Sequence, residues 1–190
     1  GYGGDGKDIS MVSLNWKRHI PNTVFICPNG YEKCTISPVG YQWFDLSKDD
    51  PNYILDQSIK AENKIKQFIE EIKKEFNLTH NQICLSGFSQ GCMMSLNVGL
   101  TSAEKFLCIV GFSGKIINQN NLKERISSPT DTLLIHGEVD QVVPSLNLLE
   151  AKDFLIRNSV KVETLLIKDC DHHISVEASS TALKYILKRI

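Results

Sequence analysis

The segment Gly87-Phe88-Ser89-Gln90-Gly91 constrains the fold of this chain more than any other segment. It follows the apolar run Ile83-Cys84-Leu85, and apolar residues at helical spacing begin directly after it, at Cys92. A serine in this context is typical of a tight strand-to-helix turn that exposes its hydroxyl group. We expect both glycines to relieve crowding in the strained turn. The alternative interpretation is a turn whose serine merely caps a helix.

Short apolar runs alternate with longer helical patterns, which predicts βαβ units around a mostly parallel sheet with helices on both faces. The predicted strands are residues 23–27, 82–86, 106–112, 132–136 and 161–167. Helices are predicted to begin near Pro51, with Asp50 as N-cap, and near Gln90, Ser145 and Val176. The 190 residues contain no repeat or linker, so we expect a single domain spanning 1–190.

A serine hydroxyl is a weak nucleophile unless a positioned base removes its proton. In folds built on this turn, the acid and then the base follow the serine along the chain. Asp140 lies four residues after His136, which ends a predicted strand, in a loop at the carboxyl edge of the sheet. The loop after the last strand holds His172 and His173. One of these two is predicted to pair with Ser89 and Asp140, and the pattern does not choose between them.

Composition excludes several classes of function. The 21 Lys and Arg residues nearly balance 22 Asp and Glu residues, which does not favour binding to nucleic acid or anionic lipid. No apolar run approaches the roughly 20 residues that span a bilayer, so we expect no stable membrane insertion. The six cysteines form no CxxC pair, which favours reduced thiols and a cytoplasmic location.

Two local patterns suggest bound groups but lack the context that such sites need. The segment 169–173 is rich in Asp, Cys and His, yet consecutive residues rarely converge on one ion and no second cluster completes a ligand shell. Gly1, Gly3 and Gly6 match G-x-G-x-x-G, but no strand precedes them. We therefore predict neither a metal nor a cofactor.

Five segments together resemble the carboxylesterase/phospholipase family of α/β hydrolases, which includes acyl-protein thioesterases. These segments are residues 1–6, 40–45, 87–91, 136–144 and 171–174. The resemblance implies an α/β-hydrolase fold without a large lid, hydrolysis of carboxyl esters or thioesters, and often a homodimer. The family has a strand and a histidine before the glycine that corresponds to Gly1. This chain lacks that N-terminal strand, so we expect the natural protein to be longer.

The resemblance also implies roles for particular residues. The family's last motif reads histidine, any residue, then an aliphatic residue, which places its catalytic triad on Ser89, Asp140 and His172. Its oxyanion donors correspond to the backbone N–H groups of Gln90 and, if Gly1 is the family's glycine, of Tyr2.

Apolar residues near the predicted site are expected to line an acyl pocket; they are Trp43, Phe44, Met93 and Val142. Each is also an ordinary core residue, and for Met93 the helical spacing favours the core. The sequence thus predicts a serine hydrolase that cleaves carboxyl esters of small or medium acyl chains through an acyl-enzyme. The alternatives are an acyl-protein thioesterase or lysophospholipase that acts on long chains, and a non-catalytic binding protein on the same scaffold.

Overall fold

The computed structural model describes residues 1–190 and contains a four-stranded parallel sheet beside a small antiparallel hairpin. The strands are β1 (Glu32–Lys33), β2 (Tyr41–Gln42), β3 (Cys84–Phe88), β4 (Cys108–Phe112), β5 (Thr132–Gly137) and β6 (Val162–Ile167). The helices are α1 (Gly6–Trp16), α2 (Pro51–Phe76), α3 (Gln90–Thr101), α4 (Gln119–Arg125), α5 (Leu146–Arg157) and α6 (Val176–Leu187), with a 3₁₀ turn at His80–Gln82. The parallel sheet has the order β3-β4-β5-β6, and β1 pairs with β2.

Two apolar layers cover the two faces of the parallel sheet. On one face, α1 and α6 pack against strand side chains that include Val110, Leu133 and Ile135. On the other face, α3, α4 and α5 pack against Ile109 and Leu134. The side chains alternate between the two faces because successive residues of a strand point in opposite directions. The predicted α/β fold with helices on both faces is confirmed.

Residues 23–27 do not form the strand that their apolar pattern predicts. Residues 24–27 make no backbone-to-backbone hydrogen bond, so the segment runs beside the domain without joining a sheet. An apolar pattern describes a side-chain preference, whereas a strand also requires a neighbouring strand as hydrogen-bond partner. The prediction of a strand at this position is therefore wrong.

The four other predicted strands and the four predicted helices are present, with bounds that differ by up to two residues. Asp50 caps α2 as expected, because its carboxylate accepts hydrogen bonds from the backbone N–H groups of Asn52 and Tyr53. The sequence interpretation missed α1, the short α4 and the β1–β2 hairpin. None of the helices is long and apolar enough to span a membrane.

A buried carboxylate ties α2 to the helices beside it. Glu62 is only 2% exposed, and its oxygens accept hydrogen bonds from Lys66, Thr101 and Arg125 at 2.7–2.9 Å. Burial alone would raise the pKa of Glu62, but the hydrogen bonds from these three side chains lower it below the ordinary value. Glu62 is therefore ionised and links α2, α3 and α4.

Candidate active site

Ser89 lies at the turn between β3 and α3 in a backbone conformation that is rare for a residue with a side chain. Its φ is 53° and its ψ is −116°, and its backbone N–H donates to Phe112 O at 2.8 Å. A side chain at Gly87 would overlap the backbone of Gly91, so the turn requires glycine at 87. At Gly91 an added Cβ would meet only Trp43 Nε1, at 3.9 Å, so the expected crowding at 91 is wrong.

The three residues of the predicted triad lie together at the carboxyl edge of the sheet. Nε2 of His172 lies 3.0 Å from Oγ of Ser89, and Nδ1 of His172 lies 2.7 Å from Oδ2 of Asp140. Ser89 follows β3, Asp140 follows β5 and His172 follows β6. A base that contacts both a hydroxyl group and a carboxylate has the geometry that activates a serine nucleophile.

The neighbouring histidine takes no part in this chain of contacts. His173 turns toward solvent, its side chain is 57% exposed, and its Nδ1 pairs with the carboxylate of Asp171. The geometry thus selects His172 from the two histidines that the sequence pattern left open.

The carboxylate of Asp140 is fully buried and has a hydrogen-bond partner for each oxygen. Its Oδ1 accepts from the backbone N–H groups of Val142 and Val143, both at 2.9 Å, while Oδ2 faces His172. Burial alone would raise the pKa of Asp140, but the hydrogen bonds from His172 and the two amides lower it. The carboxylate is therefore held ionised in a fixed orientation.

Two residues beside the triad were not singled out by the sequence interpretation. His136, which is 2% exposed, donates from Nε2 to Val143 O at 2.8 Å and lies 3.3 Å from Oδ2 of Asp140. Phe88 packs against the imidazole of His172, with ring centroids 4.7 Å apart. His136 was noted only as the end of a strand, and no sequence signal marked Phe88.

Two backbone N–H groups that lack intramolecular acceptors border Ser89. Gln90 is the first residue of α3, so no residue one turn earlier accepts its N–H. The N–H of Tyr2 donates to no protein acceptor. Gly1 lies against Ser89, because a Cβ added at Gly1 would come within 3.7 Å of Ser89 Cβ. Tyr2 and Gln90 thus lie on segments that flank the hydroxyl group.

The predicted pocket residues divide into core residues and accessible ones. Phe44 and Met93 are 1% and 5% exposed and belong to a core cluster between α2 and α3. Trp43 packs at the margin of this cluster and stays partly accessible. Val142 is 69% exposed. The structure therefore places Phe44 and Met93 in the core, and leaves Trp43 and Val142 as apolar surface near the site.

The histidine, cysteine and acidic side chains include no group of three placed to hold a metal ion. The cluster at 169–173 instead forms pairwise contacts, such as that between Asp171 and His173.

A sequence model of the phospholipase/carboxylesterase family matches residues 1–190. The chain belongs to this family. Among curated relatives, acyl-protein thioesterase 1 of Schizosaccharomyces pombe is 26% identical over 170 residues, which cover 83% of this chain and 73% of the relative. Acyl-protein thioesterase 1 of Saccharomyces cerevisiae is 30% identical over 141 residues, which cover 70% and 62%.

Solved structures agree with this assignment. The crystal structure of esterase PE8 superposes with a TM-score of 0.95 at 32% identity, over all of this chain and 89% of the esterase. Arabidopsis thaliana SOBER1 gives a TM-score of 0.81 at 20% identity, over 100% of this chain and 95% of SOBER1, which supports the fold alone. With the family and its esterase and thioesterase relatives, the protein is a carboxylic ester hydrolase.

Proposed function

We propose that Ser89, His172 and Asp140 form the catalytic triad of this hydrolase, and that the reaction proceeds through an acyl-enzyme on Ser89. The observation that carries the proposal is the continuous chain of contacts from Ser89 Oγ through both ring nitrogens of His172 to Asp140 Oδ2. Each partner occupies the position that its role requires, because the imidazole can accept the hydroxyl proton only while the carboxylate holds its other nitrogen protonated.

In the first step, Ser89 Oγ attacks the carbonyl carbon of the substrate and its proton passes to Nε2 of His172. The negative charge on the carbonyl oxygen is stabilised by the backbone N–H groups of Gln90 and Tyr2, and by the amino end of α3. His172 then protonates the leaving alcohol or thiol as the bond to the acyl carbon breaks. Water, deprotonated by His172, releases the carboxylic acid and restores Ser89.

The substrate class that the site supports best is an ester with a small or medium acyl chain. Phe44 and Met93 fill the core between α2 and α3, so they offer no surface to a long chain. Trp43 and Val142 supply accessible apolar contacts on the open side of the site. An open surface of this kind buries a short chain but leaves most of a long one in water.

The second candidate is an acyl-protein thioesterase, which the names of the curated relatives favour. A series of p-nitrophenyl esters and acyl thioesters from two to sixteen carbons separates the two candidates. The proposal expects kcat/KM to be highest at eight carbons or fewer. A maximum at sixteen carbons, with thioesters preferred, would support the second candidate instead.

The triad itself is tested with a fluorophosphonate probe, which labels an activated serine. We expect labelling of the unmodified protein and of Ser86→Ala, whose serine is exposed on β3, and none of Ser89→Ala. We expect Ser89→Ala to have no measurable esterase activity. Ester hydrolysis that persists in Ser89→Ala would overturn the assignment.

A further inference from the structure

The side chain of Gln90 makes contacts that its backbone role as an oxyanion donor does not explain. It is 1% exposed, its Nε2 donates to Phe44 O at 2.7 Å, and its Oε1 accepts from the backbone N–H of Trp43 at 2.8 Å. The amide side chain thereby binds the N–H group of Trp43 and the carbonyl group of Phe44. These two residues follow β2 directly, so the first residue of α3 is tied to the end of the β1–β2 hairpin.

The same hairpin holds the segment that carries the second oxyanion donor. The backbone N–H of Gly3 donates to Tyr41 O, and that of Tyr41 donates to Gly4 O, both at 2.9 Å. A side chain at Gly40 would overlap the carbonyl group of Gly3, so the hairpin and the N-terminal segment pack backbone against backbone at this point. The phenol oxygen of Tyr2 also lies 2.7 Å from Oγ1 of Thr35 on the hairpin.

We infer that the side chain of Gln90 is a positioning element that sets the distance between the two oxyanion donors. The inference rests on the proposed function, in which the N–H groups of residues 90 and 2 bind the same oxygen. The connection runs from the Gln90 amide to the backbone of residues 43 and 44, then through β2 to residues 3 and 4, and so to Tyr2.

No helix or strand includes residues 1–5, so this segment has no regular structure of its own to fix its position. Gly1 packs against Phe88, but this apolar contact supplies no directional bond. Hydrogen bonds restrict both distance and angle, whereas packing contacts tolerate sliding. The hydrogen-bonded connection through Gln90 therefore fixes the segment in register with α3.

The test replaces Gln90 with methionine, which preserves length and helix propensity and removes both side-chain hydrogen bonds while keeping the backbone N–H. The matched control is Asn97→Leu: Asn97 is a buried amide on the same helix, 2% exposed, and its side chain makes no hydrogen bond to the hairpin. A second variant, Gln90→Glu, keeps an acceptor for Trp43 N–H but places a carboxylate oxygen against Phe44 O. Gln90→Glu replaces Gln90→Met in the test if Gln90→Met does not fold, and the same fall in kcat is expected of it.

Full loss of one oxyanion donor lowers turnover by about 10²–10³-fold, and we expect a displaced donor to cost about tenfold. The expected result for Gln90→Met is that tenfold fall in kcat, with KM within about twofold and an unchanged midpoint of the pH profile. The inhibition constant of an alkyl trifluoromethyl ketone, which forms a tetrahedral oxyanion on the serine, should rise by the same factor. Asn97→Leu should keep kcat within about twofold.

The inference is overturned if the folded variant, Gln90→Met or, where that does not fold, Gln90→Glu, retains the kcat of the unmodified protein, or if Asn97→Leu loses as much kcat as Gln90→Met. Failure of the proposed function gives a different result, because Ser89→Ala would then remain active. With Ser89→Ala inactive and Gln90→Met fully active, only the positioning role is rejected.

Discussion

Replacing Asp140 with asparagine should hold His172 in the tautomer that cannot accept the proton of Ser89, without moving the imidazole ring. The structure allows only one orientation of the new amide. Two backbone N–H groups, from Val142 and Val143, point at Oδ1 at 2.9 Å and require an oxygen there. The NH₂ group must therefore face Nδ1 of His172, which Asp140 Oδ2 now approaches at 2.7 Å.

An NH₂ group that donates to Nδ1 forces the imidazole proton onto Nε2. Nε2 then faces Ser89 Oγ as a donor, and it cannot accept the hydroxyl proton. In serine proteases the same change costs about 10⁴-fold in kcat, which corresponds to about 5.4 kcal/mol of activation free energy. We expect a similar loss here, because the two amides prevent the asparagine from turning its oxygen toward the ring. KM should change little, since Asp140 does not touch the substrate.

The assay is steady-state hydrolysis of p-nitrophenyl butyrate, with the fold of each variant verified by circular dichroism. Asp171→Asn is the control, because it removes a carboxylate from the same loop but one that pairs with His173. It should keep kcat within about twofold. Asp140→Asn that keeps more than a tenth of kcat would refute the reasoning.

Three further predictions concern the turn, the base and the buried carboxylate. Gly87→Ala should abolish fluorophosphonate labelling of Ser89, since the added methyl overlaps the next turn of backbone; normal labelling would show that the turn tolerates it. The kcat/KM for a neutral ester should rise between about pH 5 and 8, where imidazole side chains lose their proton; a flat profile would contradict a histidine base. Glu62→Gln should lower the free energy of unfolding at pH 7 by about 3 kcal/mol, the lower end for a broken buried ion pair, because Lys66 and Arg125 are partly hydrated. Folding lowers the pKa of Glu62, so its ionised side chain contributes fully to the free energy of unfolding above the ordinary pKa of about 4.3. This contribution is lost as the pH falls through the lowered pKa of the folded state. Urea titrations from pH 7 to pH 3 should therefore show the difference shrinking, and a constant difference would contradict the linkage.

The parts of the fold that the sequence predicted are those with strong local signals. β4 and β5 are buried at every position, and their continuous apolar runs were recognisable. α1 was missed although Ile9, Val12 and Trp16 recur at helical spacing, because Met11 and Leu14 place further apolar residues on its exposed side and blur the stripe. The segment 23–27 shows the opposite error, because its apolar pattern is strong but the backbone partner that a strand requires is not encoded locally.

The residues of the candidate site were likewise predictable only where a local sequence signal marks them. Order along the chain and motif spacing predicted Ser89 and Asp140, whereas the choice of His172 over His173 came only from the resemblance to the family's last motif. The hydrogen bond from His136 to Val143 O forms only because the loop after β5 folds back over His136, and no sequence pattern marks that fold. The pocket was the least predictable part, since an apolar residue such as Phe44 looks the same in sequence whether it lines a pocket or fills the core.

The strand order sets the distance that the loop after β6 and the side chain of His172 must cover together. His172 follows β6, the strand at one edge of this sheet, and Ser89 follows β3, the strand at the other edge. Three inter-strand spacings of about 4.8 Å separate these edges, or roughly 14 Å. The backbone of this loop does not cross the distance by itself, because it turns at Asp169, whose φ is 52°, and the carbonyl groups of Cys170 and Asp171 lie against Gly137 at the end of β5. The imidazole side chain of His172 covers the remaining distance to Ser89. Asp140, on the loop of the intervening strand β5, then receives the imidazole part-way along this path. A shorter loop would leave the ring too far from Ser89 Oγ. The strand order, and not the local motif alone, therefore determines where along the chain the base of the proposed triad must lie.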